Sequence, residues 1–363
     1  MTETGSGSSK PPARVEPPQI QYATASDGVR IAYCAVGQGP PLIHMSPFPF
    51  SNFQKEWAHP PSRSYYEKLS SELQLIRYDC RGAGLSDRNV TDFSPEAYAR
   101  DILAVAGRQR LERFALFGFG HSGGIAIQFA AQHPELVSHL VLWCSYPRAA
   151  EYGQAPRVKA MRALMDQDWD FWTRAEGLQL SEYKGGATTS WFVEWVRESI
   201  TEAEYKAAAT ELHKMDVTAF MRQVRAPTLV MHRTGIATIT VDMAREIAAS
   251  IPSARLMLFE GNWISPSIGS GTRQIVEAIQ QLVHEPESPA TVGEAPSLTP
   301  SVLTPRERDV LRMIARGRTS REIAEELSLS IRTVGRHITN IYTKIGARTR
   351  ADATAYAIRH RIS

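Results

Sequence analysis

The chain has 363 residues, 43% of them hydrophobic, with 41 Lys and Arg against 38 Asp and Glu. That length exceeds one ordinary domain and suits a large one followed by a small one. Three widely spaced cysteines (Cys34, Cys80, Cys144) rule out a disulfide framework and a CxxC-type zinc site, and no cofactor is expected.

The first eighteen residues, rich in Gly, Ser and Pro, read as a loose arm without the apolar run of a signal peptide. No stretch reaches the roughly 18 apolar residues of a membrane helix, so a cytoplasmic protein without membrane contact is expected. Short apolar runs then alternate with helical patterns. Strands are expected at Val29–Ala35, Pro41–His44, Gln74–Tyr78, Phe114–Gly118, Val137–Cys144, Thr228–His232 and Arg255–Phe259. Helices are expected at Pro95–Gln109, Gly124–His133, Val241–Ile251 and Thr272–Val283. Such alternation predicts an α/β domain with a mostly parallel sheet covered on both faces. From about 147 to 223 the rhythm breaks into helices alone, with Trp169, Trp172, Trp191 and Trp195 among them. A Pro-rich linker follows at 285–300, leaving a tail of about 60 residues.

After the Phe114–Gly118 strand comes Gly120-His121-Ser122-Gly123-Gly124, a G-x-S-x-G pattern opening a helix. A serine on a sharp strand-to-helix turn needs glycines where side chains would clash, and the next backbone N–H, that of Gly123, would face a developing oxyanion. Together with Tyr78-Asp79-Cys80-Arg81-Gly82-Ala83-Gly84-Leu85-Ser86 and Leu42-Ile43-His44-Met45-Ser46, this resembles the α/β-hydrolases over roughly residues 19–285. The resemblance implies an α/β-hydrolase fold over 19–284, with the 147–223 insertion as a helical lid.

In that family an acid follows the penultimate strand and a histidine follows the last one. Here those places hold Ile236 and Ile264, and no histidine occurs between Arg233 and Val283. A serine without a base is a poor nucleophile. The reading is therefore a pseudo-hydrolase with Ser122 as a vestigial nucleophile. Its pocket, formed by His44, Met45, Ser46, His121, Ser122, Gly123, Ile236 and Ile264, would hold a small apolar ligand with one carbonyl or hydroxyl. Two alternatives stay open: a bifunctional enzyme in which His121 or His44 serves as the base, and an inert scaffold.

The tail is distinct. Residues 300–363 carry 13 Lys and Arg against 6 Asp and Glu, which points to a polyanionic partner, although a solvated basic face is the plainer alternative. Thr304-Pro305-Arg306-Glu307 and Thr319-Ser320-Arg321-Glu322 are capping boxes, Ser330 caps a third helix, and Thr349-Arg350-Ala351-Asp352 resembles another box. On the third helix Val334, Ile338, Ile341 and Ile345 form a core stripe. The opposite stripe, Arg332, Arg336, Thr339, Asn340 and Thr343, has no acid and suits a DNA groove.

Leu303–Leu311, Glu322-Ile323-Ala324, Arg332-Thr333-Val334 and His337–Ile345 resemble the LuxR-type DNA-binding domain, a small all-α four-helix module, over 301–363. The resemblance implies a DNA-binding face of Arg332, Thr333, Arg336, His337, Thr339, Asn340 and Lys344. It also implies a homodimer on double-stranded DNA, working with the transcription machinery. Gly335 departs from it, since the family commonly has a charged residue there.

Overall fold

The computed structural model describes residues 17–181, 186–286 and, from 305 onward, all but 317, 328, 331, 332, 336, 339, 340, 343–346, 348, 349, 360, 361 and 363. The chain divides into two compact units, Met1–Val292 and Gly293–Ser363.

The first unit is built on β1 (Gln21–Thr24), β2 (Arg30–Val36), β3 (Pro41–His44), β4 (Gln74–Tyr78), β5 (Phe114–Phe119), β6 (Val137–Trp143), β7 (Thr228–Arg233) and β8 (Ala254–Phe259). They form one sheet in the order β1-β2-β4-β3-β5-β6-β7-β8. β1 and β2 pair antiparallel with each other, as do β2 and β4, and all other pairs are parallel. β5 and β6 are buried at every residue, as central strands under two helical layers must be, and β6 buries Ser138 and His139 along with its apolar residues.

Two helices, α1 (Phe53–Ala58) and α2 (Pro60–Ser70), follow β3 in a stretch for which no element is expected. Asn52 caps the first by accepting from the Lys55 N–H at 3.0 Å, and Pro60 opens the second. The helices α3 (Pro95–Arg108), α4 (His121–Gln132), α11 (Val241–Ser250) and α12 (Thr272–His284) cover the sheet.

Among the described residues, the insertion between β6 and β7 holds six short helices: α5 (Ala149–Gln154), α6 (Pro156–Gln167), α7 (Trp169–Leu180), α8 (Gly186–Ser199), α9 (Glu202–Leu212) and α10 (Thr218–Met221). Trp172, Phe192, Trp195 and Val196 build a hydrophobic cluster of their own, together with Phe50 and Trp263 from the body. Polar ties hold this lid in place. Thr201 and Glu204 form a capping box at the start of α9, and Glu204 also accepts from Arg88 Nε at 2.9 Å.

In the second unit α13 (Pro305–Ala315), α14 (Ser320–Glu326) and α15 (Arg350–Arg359) pack around Val310, Leu311, Ile314, Ile323, Val334 and Ile341. Both arms of the Thr319–Glu322 capping box are formed. Ser330 accepts from the Thr333 N–H at 3.0 Å, as a helix cap does. Thr304, Ile345 and Thr349 lie outside the described residues.

Candidate functional site

The site is the junction of β5 and α4. β5 runs to Phe119 and α4 starts at His121, so Gly120 alone makes the turn. Its φ of 56° and ψ of −119° lie where residues with a Cβ are strained. The approach of helix to strand is close as well. A Cβ on Gly118 would stand 2.7 Å from the Gly123 Cα. A Cβ on Gly120 would meet nothing within 4 Å.

This corrects the expectation for Ser122. The serine lies in the first turn of α4 and is fully buried. Its hydroxyl accepts from the Phe119 N–H at 2.9 Å and donates to the Phe119 carbonyl at 3.0 Å. Gly123 is displaced in the same way: its N–H donates to the Gly120 carbonyl at 3.1 Å, and a Cβ there would collide with Ser145 Oγ. The cause is a register choice. Gly118-Phe119-Gly120-His121-Ser122 and Gly120-His121-Ser122-Gly123-Gly124 are overlapping small-x-x-x-small patterns, and the strand runs one residue beyond its expected end. The apex falls on glycine.

Beside the apex lies a cavity of about 140 Å³. Of the residues expected to form it, His44, Ser46, His121 and Ile264 line it. Met45, Ser122, Gly123 and Ile236 do not. Met45 is fully buried and donates its N–H to the Phe117 carbonyl, extending the sheet. Ile236 packs on the sheet core, and Ile239, three residues on, lines the cavity instead.

Neither histidine attends Ser122. His44 stacks on Phe117 at 4.0 Å, and its Nε2 is 3.4 Å from the Tyr65 hydroxyl. Burial, helped by Arg77, pushes its pKa well below the ordinary range. Burial, with His213 and Arg162 adding to it, holds His121 at about 3.

The polar groups of the cavity stand elsewhere, on residues that the sequence reading missed. Arg77 Nη1 meets Glu56 Oε2 at 2.7 Å, and its Nη2 donates to Ser46 Oγ at 2.6 Å. The Tyr66 hydroxyl donates to the same Glu56 oxygen at 2.6 Å, and the guanidinium lies 4.2 Å from the Tyr66 ring centre. Ser62 and Ser267 also line the cavity, their Oγ atoms 3.4 Å apart, and His59, which is not in the lining, holds Ser62 Oγ with its Nδ1 at 2.9 Å. Arg77 left a signal: it is a charge inside the buried strand Gln74–Tyr78, and a buried charge requires a partner. Of the lid tryptophans, Trp191 and Trp195 line the cavity, Trp191 stacking on His59 at 4.0 Å.

In the second unit, Thr333 and His337 are partly buried on short helical segments. Arg332, Arg336, Thr339, Asn340 and Lys344 lie outside the described residues.

Residues 62–180 match the family described as alpha/beta hydrolase fold. Residues 301–357 match the bacterial regulatory proteins of the luxR family. The chain joins an α/β-hydrolase fold to a luxR-family DNA-binding domain. For the hydrolase part, an esterase from Exiguobacterium antarcticum superposes with a TM-score of 0.63 at 22% identity, covering 73% of this chain and 99% of that one. An uncharacterized protein of Mycobacterium tuberculosis is 33% identical over 136 residues, which are 37% of each chain. For the luxR part, the transcriptional regulatory protein LiaR of Bacillus subtilis is 47% identical over 60 residues, 16% of this chain and 28% of that one. The chain thus spans little more than a third of the mycobacterial relative's length. No helix among the described residues is long and apolar enough to cross a membrane.

Proposed function

We propose that this chain is a transcription regulator whose hydrolase-like domain binds a small ligand without turning it over. One observation carries the reading: the elbow apex, where the fold presents its nucleophile, is Gly120. Isoleucines at 236 and 264 agree with it, since they stand where the acid and base would follow β7 and β8. Loss of such groups typically costs about 10⁴–10⁶ in turnover. What remains is an apolar chamber with a few fixed polar groups, which is the makeup of a binding site.

The luxR-family domain supplies the output, acting as a homodimer on paired half-sites in the cytoplasm and engaging the transcription machinery. A ligand controls such a dimer only if it prefers one arrangement of it, and a coupling of about 1–3 kcal/mol would be ordinary. Two measurements test the reading. Incubation with 4-nitrophenyl acetate should release no product beyond the uncatalysed rate, and sustained turnover would refute the non-catalytic assignment. Filling the cavity by Ile264→Trp should change operator affinity by roughly 5–150-fold in the direction the ligand does. An operator affinity indifferent to both would make the domain a scaffold.

A further inference from the structure

A second chamber, of about 60 Å³, lies between α6, α7 and the end of α9. It shares His121, Tyr152, Glu176 and Tyr205 with the main cavity, so the two spaces adjoin at these side chains. Its other polar lining includes Arg162, Gln179 and His213. Three buried polar atoms there have no hydrogen-bond partner: Arg162 Nε, Gln179 Oε1 and His121 Nδ1. Among the described residues no carboxylate pairs with Arg162. The large cavity and this chamber therefore differ in kind. The first is walled by Phe50, Trp191, Phe192 and Trp195, whereas the second is lined by residues that include three polar atoms without a hydrogen-bond partner.

A guanidinium cannot shed its charge, so one that lines a chamber without a carboxylate partner suits an anion. We propose that this chamber takes the carboxylate of a small aryl acid, with Arg162 as its ionic anchor and the ring lying in the tryptophan-lined cavity. The fork geometry of arginine matches a carboxylate with two parallel hydrogen bonds. Size agrees as well, because a dry cavity of about 150 Å³ accepts a benzene ring. Glu176 is the one group in the shared wall that could oppose an anion. Burial pushes its carboxyl up to about 7, so it readily takes a proton and can then donate to the ligand. His213 is held at about 4 by burial and by Arg162, so it stays neutral and adds no competing charge.

The inference rests on the non-catalytic reading above, because an acid is a ligand to be held and contains no ester to cleave. Titration calorimetry on the full chain tests it with phenylacetate, phenylacetamide and phenethylamine, which share a ring and differ in charge. Phenylacetate should bind at least tenfold tighter than the amide, and Arg162→Gln should erase that preference while moving amide affinity less than threefold. Arg162→Lys should retain part of the preference, since the charge stays and the fork goes. Equal binding of acid and amide, absence of acid binding, or preference for the amine, which would make Glu176 the anchor, each overturns the proposal. If Arg162→Gln does not fold, the ranking of the three probes on the unaltered protein decides. The non-catalytic reading fails separately, by turnover of 4-nitrophenyl acetate, whatever that ranking is.

Discussion

The elbow of the large unit and the third helix of the small one both carry a glycine where a functional side chain is expected. At Gly120 and at Gly335 alike, a Cβ would meet nothing within 4 Å. The backbone separates them. Gly120 sits at φ 56° and ψ −119°, whereas Gly335 lies within a helical segment. Space alone therefore does not set the cost of a side chain, because conformation does. The functional consequences differ too. Acyl transfer depends on a few groups acting as a unit, so on the proposed reading one missing at the apex would remove it. Groove binding is spread over many contacts, and losing one of them leaves the rest in place.

The largest effect expected concerns what keeps the cavity beside Gly120 in shape. Glu56 and Arg77 are buried, 6% and 2% exposed, and bonded to each other. Glu56→Ala strands the guanidinium and should cost about 3–5 kcal/mol, whereas Glu56→Ala with Arg77→Leu should recover most of that. Urea unfolding followed by tryptophan fluorescence reads it cleanly, because all seven tryptophans lie in the large unit. A double variant no more stable than the single one would show that the pair is not the cavity's support.

Next comes the apex itself. Gly120→Ser should destabilise by about 1–3 kcal/mol through backbone strain alone, since the space is open. It should still hydrolyse nothing, because Ile236 and Ile264 stand at the acid and base positions and burial keeps His121 and His44 from holding a proton. Adding Ile236→Asp and Ile264→His on the same background should then produce measurable turnover of activated esters. Repeated turnover by Gly120→Ser alone would mean that His44 or His121 can serve as a base after all.

Why the apex escaped the sequence reading is instructive. The strands are legible because each is a short apolar run between turn residues, and seven of eight fall within about two residues of their expected ends. β1 (Gln21–Thr24) escapes as a four-residue edge strand with mixed exposure. Elbow register depends on where β5 stops, and a one-residue extension to Phe119 shifts the apex from one glycine pattern to the other. The acid and base positions are fixed by strand ends that lack such a double pattern, so Ile264 lines the cavity as expected. Ile236 fails because a loop residue's direction depends on its packing, which periodicity does not encode. Arg162 and Glu176 look like ordinary charges on amphipathic lid helices, and the chamber they both line is visible only in three dimensions.

A smaller effect concerns the tie between lid and body. Burial alone would raise the Glu204 carboxyl, but hydrogen bonds from Arg88 and Thr201 outweigh it and hold the group at about 2, against an ordinary 4.5. A depressed carboxyl stabilises the fold above its unfolded pKa and loses that contribution as pH falls toward the folded one. Glu204→Gln should therefore cost about 1–2 kcal/mol at pH 7, a figure reduced because Arg88 is 31% exposed. The gap between unaltered protein and variant should close between about pH 4.5 and 2. A gap independent of pH would assign the loss to the helix cap rather than to the ion pair.

The smallest effect returns to Gly335. Its residue is exposed and helical, so no positive φ demands glycine there. Gly335→Ala should stabilise the small unit by about 0.5–1 kcal/mol by restricting the unfolded chain and improving helix propensity. Hydrogen exchange of the small-unit amides in the full chain reads that gain without interference from the large unit. DNA affinity should hardly change, because a methyl group adds no phosphate contact. Gly335→Lys separates propensity from contact. If the third helix faces the groove with this side, the added ammonium releases about one more counterion, and the log–log salt dependence of operator binding steepens by about 0.9. A lysine that leaves the slope unaltered would put Gly335 off the DNA face. That result would shift the comparison, since the glycine would then mark a helix surface without function and not a contact given up.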